Sequence, residues 1–178
     1  MIHIVLHEPE IPFNTGAIGR TCVATDSALH LIEPLGFVLN DKYIKRAGMD
    51  YWPKLRLSRY LDYEDFLGRH PELCMDAEQP GGSPRLWFAT TKAHRVYSDV
   101  SFGPDDFIMF GKESAGIPEE ILAAHPEACI RIPMWGEIRS LNLSNAAAIV
   151  LYEALRQNGF PGLAREGELH RLHWREDR

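Results

Sequence analysis

The chain has 178 residues, 45% hydrophobic and 25% charged, with a formal net charge of −6, the balance of one water-soluble globular domain with its own core. No run is long and apolar enough to span a bilayer, and Cys22, Cys74 and Cys129 form no C-x-x-C pair, which argues against a disulfide framework or a zinc cluster and suits a reducing cytoplasm. The acidic balance weakly opposes nucleic-acid binding, where phosphate contacts dominate affinity.

The opening MIHIVLHEPE lacks the basic segment and small-residue cleavage site of a signal peptide. It predicts a short buried strand, ended by Pro9 and Pro12. A helix follows over NTGAIGRTCVATD, with Asn14 or Thr15 as its cap and Ala17, Ile18, Cys22 and Val23 at helical spacing. ALHLIEP is a second strand closed by Pro34, DKYIKRAG a short helix stopped at Gly48, KLRLSR a strand and YEDFLGR a helix. Within 41–59, Lys42, Lys45, Arg46, Lys54, Arg56 and Arg59 outnumber Asp41 and Asp50, whereas 62–78 is acidic. Two solvated faces of opposite sign account for this, and the basic one is compatible with a local RNA footprint.

Residues 74–84, CMDAEQPGGSP, read as a surface insertion. RLWFATT, DFIMF and ACIRIP are apolar strands, and PEEILAAH is a helix with Pro118 at its first position. A last long helix is stopped at Asn158-Gly159, and 163–178 form a charged tail in which His170 and His173 read as solvated. Strands alternating with helices indicate an α/β domain with a mainly parallel sheet flanked by helices. Such sheets bind ligands at the carboxyl ends of their strands.

Three loops after predicted strands hold more Gly, Asn, Ser and Glu than turning the chain requires. In PFNTGAIGR, Gly16 permits close backbone approach, Arg20 lies one turn into the helix, and Gly19 costs about 1 kcal/mol against Ala, which points to close packing or a ligand. FGKESAGIP is neither a P-loop nor a G-x-S-x-G elbow, because its glycines stand at the wrong offsets. A serine nucleophile at Ser114 is the lesser alternative there, and Glu113 is placed to bond loop N–H groups. In IRIPMWGEIRSLNLSN, Ser140, Asn142, Ser144 and Asn145 exceed what one helix cap needs. With Trp135 and Ile138 making the loop partly apolar, it suits a cavity for a purine ring.

In order, the three loops carry N-x-G-x-x-x-R (Asn14, Gly16, Arg20), G-x-E-x-x-G-I (Gly111, Glu113, Gly116, Ile117) and I-P-M followed by SLNLSNA (Ile132 to Met134, then Ser140 to Ala146). In these motifs the chain resembles the ribose 2′-O-methylating branch of the SPOUT superfamily of trefoil-knotted RNA methyltransferases. IVLHEPEIPFNTG, HLIEPLGF, RAGMDYW and NGFPG are similar to its small tRNA wobble-nucleotide enzymes of the TrmL type. The likeness runs over 1–162 as a single domain and departs from the pattern at the 74–84 insertion, the tail, Lys112 and Trp135.

The resemblance implies a deep C-terminal knot, made as Pro133–Asn145 threads a loop of the preceding chain. It implies S-adenosylmethionine held there by backbone groups of Ala89, Gly111, Ile132 and Ser140, with Leu141 against the adenine and S-adenosylhomocysteine as product. It further implies the anticodon stem-loop of tRNA as substrate, methylated at C34 or a modified U34. Also implied are a cytoplasmic homodimer packed through the first and last helices, each site borrowing Arg20 from its partner, and no metal ion. Because a guanidinium stays protonated in proteins, Arg20 is expected to clamp phosphate and orient the hydroxyl. Asn14, Ser140 and Asn142 are expected to position the ribose, Glu113 to brace the second loop, and Ser144 to start the last helix. Lys42, Lys45, Arg46, Lys54, Arg56 and Arg59 are the candidate phosphate contacts. Methylation of ribosomal RNA and a non-catalytic RNA-binding knot are the alternative readings.

Overall fold

The computed structural model describes residues 1–39, 50–73, 75 and 83–174. Its strands are β1 (His3–His7), β2 (Ala28–Ile32), β3 (Arg56–Tyr60), β4 (Leu86–Ala89), β5 (Arg95–Val96), β6 (Phe107–Phe110) and β7 (Cys129–Arg131). They form one seven-stranded sheet in the order β3-β2-β1-β6-β4-β7-β5. Every pairing is parallel, with Ile4 opposite Leu29 on one side and Ile108 on the other. Parallel sheets covered on both faces need nearly unbroken apolar strands, which is why HIVLH, ALHLI, LWFA and FIMF carry so few polar residues.

The pleat sends alternate residues into two cores. Ile4, Leu6, Leu29, Leu31 and Ile108 join Ile18 and Cys22 of helix α1 (Pro12–Ala24) and Val150, Leu151 and Ala154 of helix α4 (Leu143–Gln157). Val5, Ile32, Phe88 and Met109 face the other way, onto Phe66 of helix α2 (Tyr63–Arg69) and Leu122 of helix α3 (Glu119–Ala124). Cys22 and Cys129 are free thiols within these cores.

Three helix starts differ from the sequence expectation. α1 begins at Pro12, two residues before Asn14, since proline lacks the N–H that a first turn would leave unpaired. Asn14 and Thr15 are therefore buried inside the helix and cap nothing. α3 begins at Glu119 with Pro118 as its cap residue. α4 is capped by Asn142, whose side chain accepts from the N–H groups of Ser144 and Asn145, so Ser144 lies inside the helix. At the other end of α4, Gly159 adopts φ +75° and Asn158 caps the helix as expected. The two-residue β5 was not anticipated.

Gly19 is explained by packing: a Cβ there would lie 3.1 Å from the Trp52 ring and 3.2 Å from Leu55. The helix expected over 41–48 and most of the 74–84 insertion lie outside the described residues. In the tail, residues 164–174 are exposed or nearly so and form neither helix nor strand.

On the α2 side of the sheet a chain of polar rings runs through apolar surroundings. His3 Nδ1 lies 2.9 Å from His30 Nε2, His30 Nδ1 lies 2.7 Å from the Tyr60 hydroxyl, and that hydroxyl lies 2.8 Å from His70 Nε2. Burial, with the N-terminal ammonium and His70 nearby, pushes His3 down to about 4. Burial, with His3 and His70 nearby, pushes His30 down to about 3.

Candidate functional site

A cavity of about 490 Å³ opens at the carboxyl ends of β4, β6 and β7, where Ala89, Phe110 and Arg131 line it. This is the end at which parallel sheets bind ligands. Asn14, Gly111, Glu113, Ile132, Ser140, Leu141 and Asn142 line it too, so the three polar loops converge on one space.

The Gly111–Gly116 loop is folded back on itself. Its Gly116 N–H donates to the Lys112 carbonyl at 2.8 Å, and Gly116 has φ +76°. A Cβ on Gly111 would fall 2.0 Å from the Gly116 carbonyl carbon and 2.1 Å from the Ile117 nitrogen. Only glycine fits there.

Glu113 ties its own loop to the first one. Its carboxylate accepts from the Glu10 N–H at 2.8 Å, the Ile11 N–H at 3.2 Å and Asn14 Nδ2 at 2.9 Å. It thus satisfies the chain entering α1, where the helix has no side-chain cap of its own. The tie is reciprocal: the Glu10 carboxylate accepts from the Ser114 N–H and hydroxyl, both at 2.8 Å, and Lys112 pairs with Glu8 at 2.8 Å. The two Ser114 bonds lower the Glu10 carboxyl below its usual range. With its hydroxyl given to a carboxylate and no histidine bonded to it among the described residues, Ser114 is not arranged as a nucleophile.

Asn142 carries the tie to the third loop. Its Nδ2 donates to Asn14 Oδ1 at 3.0 Å, while its Oδ1 accepts from the Ser144 N–H at 2.9 Å and the Ser144 hydroxyl at 2.6 Å. Glu113 can only accept, so Asn14 must turn its NH₂ toward it and its oxygen toward Asn142. The orientations of the Asn14 and Asn142 amides both follow from that one carboxylate. Asn14 is thus held by Glu113 and Asn142, and Asn142 by Asn14 and the first turn of α4.

Ile117, Leu143, Ala146 and Val150 supply apolar wall, whereas Trp135 and Ile138, expected to do so, stand 94% and 63% exposed. An apolar slot edged by loop backbone and a few polar side chains fits a purine nucleoside with a polar tail. Among the described residues no group of three His, Cys, Asp or Glu could hold a metal ion, and no helix is long and apolar enough to cross a membrane.

Arg20 does not line the cavity. Its guanidinium lies 4.7 Å from the centroid of the Tyr51 ring and 4.0 Å from Asp50, and Tyr51 in turn donates to the Gly16 carbonyl at 2.6 Å. Of the expected phosphate contacts, Lys42, Lys45 and Arg46 lie outside the described residues. Arg56 pairs with Asp26 at 3.0 Å and Arg59 with Glu33 at 2.7 Å, so both are partly neutralised, while Lys54 is exposed. Sequence reasoning missed Arg131 and Arg139, which line the cavity with no carboxylate partner among the described residues. The signal for Arg139 was its place directly before the SLNLSN run.

Comparison with known proteins agrees with this geometry. Residues 1–152 match the model of the SpoU rRNA methylase family. The tRNA (cytidine(34)-2′-O)-methyltransferase of Escherichia coli K12 is 48% identical over 163 residues, covering 91% of this chain and 97% of that protein. A solved structure described as giving insights into the 2-OH methylation of C/U34 on tRNA superposes with a TM-score of 0.77 at 40% identity, covering 89% of this chain and 97% of the other. The SpoU methyltransferase AviRb of Streptomyces viridochromogenes, in complex with the cofactor AdoMet, shares the fold at a TM-score of 0.69 and 24% identity, over 88% of this chain and 57% of its own. Sheet order, cavity position and a likeness that spans nearly the whole chain lead to one placement: this protein belongs to the SpoU methylase family.

Proposed function

We infer that the protein transfers a methyl group from S-adenosylmethionine to the ribose 2′-oxygen of the tRNA wobble nucleotide, C34 or a modified U34. The observation that carries this is the convergence of all three motif loops on one cavity, locked by Glu113, Asn14 and Asn142. The E. coli relative is named for this reaction on cytidine 34. S-adenosylmethionine supplies the electrophilic methyl on its sulfonium and leaves as S-adenosylhomocysteine.

The chain's own task is then placement and electrostatics. Backbone groups at Ala89, Gly111, Ile132 and Ser140 hold the cofactor, and Leu141 packs against its adenine; all five residues border the cavity. Glu113, Asn14 and Asn142 fix the walls. Arg20 clamps the substrate phosphate and orients the attacking hydroxyl.

Two features of the assembly belong to the same reading. The segment from Pro133 to Asn145 forms a deep trefoil knot; its support is that this one crossing lines the cavity at Met134 and at Ser140 to Asn142, and bonds back to Asn14. The protein works as a cytoplasmic homodimer through α1 and α4. Phe13, Ile149 and Tyr152 on these helices are 76%, 37% and 45% exposed, and Arg20, outside its own cavity, then serves the partner's.

The test is to incubate the protein with unmethylated bulk tRNA and cofactor labelled on the transferred methyl, then digest to nucleosides. Label in 2′-O-methylcytidine or 2′-O-methyluridine is expected. Label confined to a base, or found only when ribosomal RNA replaces tRNA, overturns the assignment.

A further inference from the structure

Trp135 is the residue the site leaves unexplained. The four tryptophans of the chain differ in surroundings. Trp87 is fully buried and donates to Asp106 at 2.7 Å, Trp52 packs beneath Gly19, and Trp174 donates to the Gly167 carbonyl at 2.8 Å. Trp135 is 94% exposed. It does not line the cavity itself, but Met134 directly before it and Arg139 and Ser140 shortly after it do. Gly136, at φ +66°, turns the chain immediately after the indole, a left-handed conformation that glycine adopts without strain.

The charge around it is as informative as the ring. Arg56, Arg59, Arg69, Arg95 and Arg156 each pair with a carboxylate. Arg131 and Arg139, on either side of Trp135 in sequence and both at the cavity, pair with none among the described residues. An exposed aromatic side chain on a loop whose neighbouring residues include two arginines without carboxylate partners is a pattern suited to single-stranded nucleic acid: bases stack on the ring and phosphates meet the cations.

We propose that Trp135 stacks on a base of the RNA substrate beside the nucleotide held in the cavity, with Arg131 and Arg139 contacting the flanking phosphates. This rests on the methyltransferase reading for its substrate, and adds to it a residue that sets RNA affinity without touching the cofactor.

The full chain is titrated with an anticodon stem-loop RNA while tryptophan fluorescence is followed, and KM and kcat are measured with tRNA. The wild type is expected to show quenching that Trp135→Phe loses. Trp135→Ala raises KM for RNA by about 5- to 160-fold, the range of one base–aromatic stack, with cofactor affinity unchanged, and Trp135→Phe restores most of the affinity. Two results overturn the proposal: RNA binding with the same quenching in Trp135→Phe and an unaltered KM in Trp135→Ala, or a fall in dimer mass in Trp135→Ala by sedimentation, which assigns the indole to a second copy. The two readings fail separately. Quenching of Trp135 without methyl transfer sinks the reaction and keeps the stacking role, whereas turnover with an unchanged Trp135→Ala KM does the reverse.

Discussion

Asn14 and Asn142, 128 positions apart in the sequence, meet through a 3.0 Å hydrogen bond at the wall of the cavity. Asn142 has two tasks there: its oxygen caps α4 and its NH₂ holds Asn14. Asn142→Asp separates them. The new carboxylate still caps, so stability should stay within about 1 kcal/mol of wild type. It cannot donate to Asn14, and Asn14 cannot turn round without pointing its oxygen at Glu113. Cofactor affinity by calorimetry should therefore fall while the unfolding midpoint barely moves. Adding Glu113→Gln gives Asn14 a donor to turn toward, and the double variant should regain part of the loss. Equal affinities in all three proteins would show that the amide chain does not shape the cavity.

Gly111→Ala should be far harsher than an ordinary loop substitution. The added methyl would lie 2.0 Å from backbone of the same loop, and backbone cannot swing aside as a side-chain tip can. Opening the loop breaks the Gly116 to Lys112 hydrogen bond and displaces Glu113 from three partners. A stability loss of more than about 3 kcal/mol is expected, read by denaturant unfolding, with cofactor binding abolished. A variant that binds cofactor normally would mean that the loop has room the structure does not show.

The sheet was legible because parallel strands buried on both faces must be nearly continuous apolar runs, and IVLH, LWFA and FIMF can be little else. The cavity wall at Gly111, Ile132 and Leu141 was legible through the motifs they sit in, not through their chemistry, and Ala89 only through the family resemblance. What escaped were relations between distant positions. Asn142 and Ser144 are equally good cap residues by type, and the choice between them is made where Asn142 also reaches Asn14. Glu113 serves the 10–14 segment, about a hundred positions earlier, which no local pattern announces. β5 has two residues and exists only through its pairing with β7.

Arg20 tests the assembly. Its guanidinium lies outside the cavity of its own chain, 4.7 Å from the centroid of the Tyr51 ring. Arg20→Ala should lower kcat by about 100- to 1,000-fold, the usual cost of removing one transition-state donor. Cofactor affinity should be nearly unchanged, because no lining group is lost. If the arginine serves the partner's site, mixing Arg20→Ala with a second inactive variant that keeps Arg20 but has a ruined cavity, Gly111→Ala if it still dimerises, should restore activity as hybrid dimers form. Wild-type turnover in Arg20→Ala removes the role altogether.

Stability should depend on pH through the buried rings of β1 and β2. His3 and His30 are held from an ordinary 6.5 down to about 4 and about 3, first by burial and then by neighbouring positive groups. Above 6.5 both folded and unfolded chains keep them neutral, so their contribution is flat. Below it the unfolded chain takes up protons that the folded chain refuses, and stability rises with pH wherever the unfolded state binds more protons. Acidification from pH 6.5 toward 4 should therefore cost a few kcal/mol. Glu153 is kept near 2, chiefly by its hydrogen bond with Arg156, and loses its contribution only below the ordinary 4.5, so the upper part of the fall belongs to histidine. Denaturant unfolding at half-unit steps resolves the two limbs. His30→Gln should shallow the histidine limb even at the cost of lower stability throughout, because one of the titrating rings is gone, while His3 and His7, also lowered chiefly by burial, keep the rest of the slope. A profile with no slope between pH 6.5 and 5 would mean that the rings take up protons in the folded state as readily as in the unfolded chain.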